Sequence, residues 1–457
     1  MNVTKELVAL QARLDEMDTD HMEVIFGSFM LVSACFILLM QPGFAFLEAG
    51  QVRSKNVKSV LYKNIFDFGV GAIIWWLFGY GLSENIYFLG PPLNHEIFYF
   101  FHTFTFAATA STIVSGAVAE RIRFSAYILL SVFVTGIIYP CLVLWVWTEG
   151  GWLGQLGFID HAGSGVVHMC GGTCALVCCK LVGPRKERFI VDDEEGENAS
   201  EKELLSTGKV VVRPLPGHSP TDSYLGAFFL IIGWLFFNAS SGFTDAHKLN
   251  MEAVAVAMIN TFMAMASAAT VRLVYKQCQH GTHDITDSVN AWLGGAVAIT
   301  ASCSFVDGWA ALLIGAGAAV LTPMASDFLQ RMRVDDVVDA SPVHLVNGIY
   351  GILCVGLFSH PNNDIDCCVV QPKSYGVVLY PLLPGPWKQL GIQLAGCIFI
   401  IAWSGGVTAL VLGLLMLLSP KKNPLRVDVN DELLGLDMKY HEGLPPRSQS
   451  SFPDLQF

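Results

Sequence analysis

The chain has little charge. Only 14% of its 457 residues are Asp, Glu, Lys or Arg, against about 25% in a soluble globular chain. It has no basic surplus either. The formal net charge is −12, which excludes a surface built for nucleic acid. The 12 cysteines include no CxxC pair and no zinc-like spacing. Cys174, Cys178 and Cys179 fall in an apolar run, where they read as small hydrophobes. Cys367 and Cys368 fall in a loop. The glycine-rich runs sit in apolar stretches and lack the strand context of a nucleotide fingerprint. No nucleophile, metal cluster or phosphate loop argues for an enzyme, and no cofactor is expected. The N-terminus MNVTKELVALQARLDEMDTDHME lacks the basic segment and unbroken apolar core of a signal peptide. It reads as a short amphipathic helix.

What the chain has is apolar windows. Hydrophobic residues make up 53%, with 30 Phe and 10 Trp, and mean hydropathy is +0.50. Windows of about twenty residues, the length that crosses a bilayer, recur eleven times. They cover 24–46, 62–83, 98–119, 124–147, 162–182, 221–240, 249–273, 286–305, 309–329, 342–360 and 387–418. Glu252 and Asn260 interrupt the seventh. Pro323 is expected to break the ninth, which also carries Asp327, and Gly405–Gly406 to bend the last.

With the N-terminus outside, all of the 27 Lys and Arg residues except Lys5, Arg13, Lys248, Lys373 and Lys388 fall on inner segments. Such a positive-inside bias would be scrambled by an even number of spans. The expectation is an all-α membrane protein of eleven transmembrane helices, N-out and C-in. Residues 1–23 are then an extracellular segment, 24–420 the membrane domain and 421–457 a cytoplasmic tail. The Asn2 sequon lies outside, whereas Asn198 and Asn238 stay bare. The charged cytoplasmic loop 184–220 is expected to be disordered at its middle, as is the end RSQSSFPDLQF. DELLGLDMKYHEG, with apolar residues amid charge, suggests docking.

A repeat lies within the spans. His168 in the fifth and His344 in the tenth are each followed by Gly at the fourth position, Gly172 and Gly348, and preceded by Asp, Asp160 and Asp339. Five helices per half force the halves into opposite orientation, a 5+5 inverted repeat with the eleventh helix added. A histidine inside a span is costly unless it faces a cavity or a partner. Two facing imidazoles can share one proton and line a narrow path. The plainer reading is a packing histidine bonded to a carbonyl. Asp160 is placed to cap the next helix and to set negative potential under a cation mouth. Asp339-Ala-Ser-Pro repeats the idea. His161 reads as a boundary residue with no role. Phe104, Phe106, Trp145, Trp147, Trp152, Trp234, Phe236 and Phe237 suit interfacial belts or a cation–π site, and composition does not choose among them.

Several segments carry a resemblance: QPGFAFLEAGQVRSKNV at 41–57, FAATASTIVSGAVAERIRF at 106–124, GFIDHAGSGVVHMCGG at 157–172, GWLFFNASSG at 233–242, AWLGGAVAITASC at 291–303, DVVDASPVHLVNGIYG at 336–351 and DELLGLDMKYHEG at 431–443. In these the chain resembles the Amt/Mep/Rh family of ammonium transporters, in its Amt branch, over about residues 24–443. The resemblance implies a homotrimer in the plasma membrane with one pore per subunit and ammonium or ammonia as substrate. It implies twin pore histidines at His168 and His344 and a phenylalanine gate at Phe106 and Phe237. It implies an outer recruitment site of Trp147, Phe106 and Ser241, and an aspartate, Asp160, that shapes the outer mouth. The tail signature suggests cross-talk among subunits and cytoplasmic regulators. The rival readings are an ammonium sensor with little flux and a neutral ammonia channel of Rh type. Two departures stand out. Leu345, Val346 and Asn347 follow His344 where small residues are usual, and Phe236 stands where Gly is common. Crowding of the pore is the expectation there.

Overall fold

The structure is a computed structural model, and it describes residues 2–86, 88–91, 96–190, 211–243, 249–281, 284–359, 387–420 and 423–441. Within them, ten helices are long and apolar enough to cross a membrane. These spans are His21–Gln51, Ser54–Glu84, Ile97–Ala117, Phe124–Val146, Ser164–Val182, Pro220–Ala239, Met251–Gln279, Gly308–Arg331, Ser341–Phe358 and Lys388–Leu418. The eighth expected span is a helix too, Ile285–Thr300, but only 16 residues long. Asp284 caps it, accepting from Thr286 N at 2.8 Å. Nearly all of it from Val289 onward is buried, so it is enclosed by protein. The protein is an all-α membrane protein. Helices suit this setting because hydrocarbon offers a backbone no other partner. Leu417, Ile65, Phe262 and Met324 lie exposed on outward faces, where lipid rather than water is the solvent.

Several local expectations change. The N-terminal helix starts at Asn2 and runs unbroken to Ile37, so it is continuous with the first span rather than a short separate piece. The break comes later, at Leu38–Leu39, before the helix Met40–Gln51. Pro42 has no N–H for the Leu38 carbonyl, and Gln41 N takes that carbonyl at 3.1 Å instead. The ninth helix, by contrast, passes through Pro323 without ending. One missing ladder bond does not stop a helix whose flanking turns have no alternative in lipid. Helix Lys388–Leu418 likewise continues through Gly405–Gly406. The polar residues of the seventh helix have specific places. Glu252 sits in the first turn beside the Asn250 cap. The Asn260 amide donates to the carbonyls of Cys303 and Val306 at 2.8 and 2.7 Å, tying the helix to the turn that follows the eighth.

The tail docks. Asp437 accepts from the backbone N–H of Lys58 and Ser59 at 2.9 and 2.8 Å, and Leu436 N donates to Asn56 Oδ1 at 2.9 Å. Glu432 pairs with Arg426 at 2.7 Å. Beneath it, Arg185 grips Asp335 at 2.8 Å and Arg53 meets Glu120 at 2.6 Å. Burial alone would push the Asp335 carboxyl up, but the Arg185 and Arg121 guanidiniums hold it well below the usual range. In the loop after the fifth span, Phe189–Ile190 pairs with Val211–Val212. The middle of that loop with Asn198, the Cys367–Cys368 pair and the chain end from 442 lie outside the described residues.

Candidate functional site

The site begins where the chain turns into the fifth span. Gly163 has φ +104°, a left-handed conformation that glycine adopts without cost. Asp160 caps this turn. Its Oδ1 accepts from Gly163 N at 3.0 Å, and its Oδ2 from Gly165 N and Val166 N, both at 2.9 Å. Burial pushes the Asp160 carboxyl above the ordinary carboxylate range, against the pull of these backbone donors.

The expected counterpart in the second half was Asp339. The structure corrects this: Asp336 caps the tenth helix, accepting from Ala340 N at 2.9 Å and Ser341 N at 2.7 Å. Asp339 instead accepts from Asn290 Nδ2 at 3.1 Å and Ser326 Oγ at 2.7 Å. Asp160 precedes His168 by 8 residues, and Asp336 precedes His344 by the same 8.

Both caps lead into a π-helical turn, Ser164–Met169 in the fifth span and Ser341–Val346 in the tenth. Such turns recur at functional sites because they displace a side chain from the regular ladder. Each carries its histidine. The two Nδ1 atoms lie 3.3 Å apart, and the rings are 5.3 Å apart with planes at 25°. His168 is fully buried and His344 is 4% exposed. At this spacing one Nδ1 donates and the other accepts. The pair therefore holds one bridging proton when both rings are neutral.

Phe106 and Phe237 stack face to face nearby, centroids 3.9 Å apart and planes at 20°. His168 lies 5.5 Å from Phe237. Trp147 meets Phe106 edge-on at 6.1 Å, and its indole Nε1 donates to the Asp160 carbonyl at 2.7 Å. Ser241 Oγ donates to Phe237 O at 3.5 Å. A cavity of about 70 Å³ is lined by Phe106, Trp147, Asp160, His161 and Ser241.

The profile of the Ammonium Transporter Family matches residues 28–444. The chain belongs to the ammonium transporter family. It is 35% identical to "Putative ammonium transporter 1" of Caenorhabditis elegans, over 96% of this chain and 82% of that one. It is 34% identical to "Ammonium transporter Amt2" of Archaeoglobus fulgidus, over 90% and 86%. Among solved structures it resembles "Sensor Amt Protein", with TM-score 0.78, 29% identity and coverage of 92% of this chain and 99% of that one. Mep2 of Candida albicans follows with TM-score 0.73, 25% identity and coverage of 89% and 87%.

For a member of the ammonium transporter family, the two departures read differently in three dimensions than in sequence. Phe236 turns from the stacked pair and lies flat on Phe36, 4.1 Å away with planes at 7°. Leu345 backs onto Gly172. The Asn347 amide donates to Thr322 Oγ1 at 2.8 Å and to the carbonyls of Pro342 and Val343. The Phe236 and Asn347 side chains and the Leu345 backbone thus serve helix contacts. His161 is not idle at the boundary. It is buried, with Nδ1 on Ser304 Oγ at 3.0 Å and Nε2 near the Asn238 carbonyl at 3.2 Å.

Two more neighbours complete the site, and only His102 was not singled out in the sequence. Trp234, one of the eight rings among which composition did not choose, stacks on His168 at 4.6 Å, fixed by a hydrogen bond to Thr300 Oγ1 at 2.9 Å. His102 lies 5.0 Å from Phe106 and meets Ser240 Oγ at 2.7 Å. Its place four residues before Phe106, on the same helix face, was the available signal.

Proposed function

We propose that the protein transports ammonium across the plasma membrane as a homotrimer, with its N-terminus outside and its tail in the cytoplasm. The membrane domain of residues 24–420 carries the pore, flanked by the extracellular segment 1–23 and the tail 421–457. Ammonium is recruited in the outer cavity by the faces of Trp147 and Phe106 and by Ser241. Asp160 shapes this mouth and lends it negative potential. Ammonium and potassium are nearly the same size, so size alone does not sort them. Ammonium can give up a proton and continue as neutral ammonia. Potassium keeps its charge and pays the full desolvation cost of an apolar path. The proton leaves near the Phe106–Phe237 gate and crosses separately along a polar or histidine-lined route, which makes net transport electrogenic.

One observation carries this reading: a pair of bonded, buried imidazoles lies directly behind a closed aromatic stack. A ring pair in contact admits no hydrated ion without moving, while the imidazoles offer donor and acceptor sites to ammonia. The likeness to a sensor of the same fold supports a second reading, ammonium binding without useful flux.

The test is reconstitution of the full chain, comparing ammonium-evoked current and uptake with those of H168A/H344A. Current and uptake that both collapse in the variant fit the proposal. Ammonium binding without flux in the wild type favours the sensor, and flux without current favours a neutral channel.

A further inference from the structure

A second, small cavity, of about 20 Å³, has His344 in its wall and is not lined by the Phe106–Phe237 stack. Glu48 and Thr112 line it from the tail-facing ends of the first and third spans. Asn290 lines it from the start of the eighth helix, and Val338 from the segment before the tenth. The outer cavity is bordered in the same way by the segment before the fifth helix, so the two cavities flank the histidine pair from opposite sides.

Two residues that line it, Glu48 and Asn290, each carry an acceptor oxygen that finds no donor among the described residues. Glu48 is 1% exposed. Its Oε2 accepts from Ser115 Oγ at 2.8 Å and from Asn64 Nδ2 at 3.1 Å, but Oε1 accepts from nothing. Asn290 is 4% exposed. Its Nδ2 donates to the Asp339 carboxylate, which fixes the amide orientation and leaves Oδ1 as the free end, also without a donor. Buried acceptors left unpaired are costly, and here the two residues that carry them line one cavity. The surrounding charge has the matching sign. Lys63, which donates to the Ser115 carbonyl at 3.1 Å, is a single amine among two buried carboxyl groups, Glu48 and Asp67. Asp67 is bound by the hydroxyls of Ser111, Thr112 and Ser131.

Unpaired acceptors with a surplus carboxyl call for a small cation rich in N–H donors. We propose that this cavity is a second cation site, in which Glu48 Oε1 and Asn290 Oδ1 hold ammonium on the inner side of the histidine pair. The proposal rests on ammonium being the substrate. It gives the pore a holding position on each side of His168 and His344.

The experiment uses the full-length trimer and ammonium chloride, with sodium chloride as control. Infrared difference spectra upon ammonium addition are expected to contain a carboxylate band that disappears in E48Q and shifts in N290A. In inside-out patches, E48Q is expected to raise the half-saturating ammonium concentration at the tail-bearing face by roughly tenfold, the scale of one lost charge-assisted contact. The value at the opposite face stays the same. A wild-type spectrum with no Glu48 band overturns the site, as does an equal shift at both faces, which marks Glu48 as a structural partner of Lys63. N290A keeps the Glu48 bonds to Ser115 and Asn64, so it carries the test by the same readouts if E48Q fails to assemble. Flux without a Glu48 band sinks the inner site alone. A Glu48 band without flux sinks transport and leaves the site standing.

Discussion

Gly172 packs on the backbone of Leu345, so closely that a Cβ there would lie 2.9 Å from the Leu345 Cα. The contact has a mirror image: a Cβ on Gly348 would lie 3.1 Å from Met169 N. Each glycine is the fourth residue after its own histidine, and each partner is the first residue after the other. This reciprocity is the inverted repeat expressed at atomic contact, and it sets how closely the two histidines approach.

G172A and G348A are therefore expected to separate the histidines and to lower stability by about 1–3 kcal/mol, the usual scale of overpacking. Thermal unfolding of the purified protein measures this. G406A is the control, because a Cβ at Gly406 meets nothing within 4 Å. An unchanged melting temperature in G172A would contradict the packing described.

The caps make a second prediction. D336A should loosen the first turn of the tenth helix as D160A loosens that of the fifth, each by about 1 kcal/mol. Hydrogen exchange at Ala340 and Ser341 should accelerate in D336A, and at Gly165 and Val166 in D160A. D339A should leave all four amides protected.

Substituting Leu345 and Asn347 together by glycine tests whether they obstruct the pore. Asn347 bonds Thr322 and the Leu345 backbone packs on Gly172, so flux should fall or stay level in uptake assays. A clear rise would restore crowding as the explanation.

Asp339 gives a pH dependence. Burial, and then the neighbouring Asp336 carboxylate, push its carboxyl up to about 7. A carboxyl raised on folding stabilises the protein in its protonated form. That contribution is complete below the ordinary value near 4 and is lost as pH rises through about 7. Between those limits the wild type should lose stability relative to D339N, measured as the difference in melting temperature. A difference constant across that window would count against the shifted carboxyl.

The spans were legible because bilayer thickness writes a length directly into the sequence. The eighth helix is short of that length because protein, not lipid, surrounds it. His168 and His344 were brought together by their shared Gly spacing, whereas Phe106, Phe237, Trp147 and Ser241 entered only through the family resemblance, since composition did not choose among the rings. Asp339 misled because it stands nearer to its helix, while a cap is defined by where the backbone turns. The spacing of 8 residues to His344 pointed to Asp336 all along. Pro323 misled because breaker rules are learned in water. His102 was missed because its one signal, a place four residues before Phe106, is lost in a run of aromatic residues.

Asp160 is held at both of its ends. Its carboxylate grips the amides of the fifth helix, and its own carbonyl receives the Trp147 indole. The residue is thus a rivet between a helix and a ring that both border the cavity. Removing its side chain frees the turn that presents the carbonyl to that ring, so lost activity in an Asp160 variant measures misalignment of the cavity wall together with missing charge.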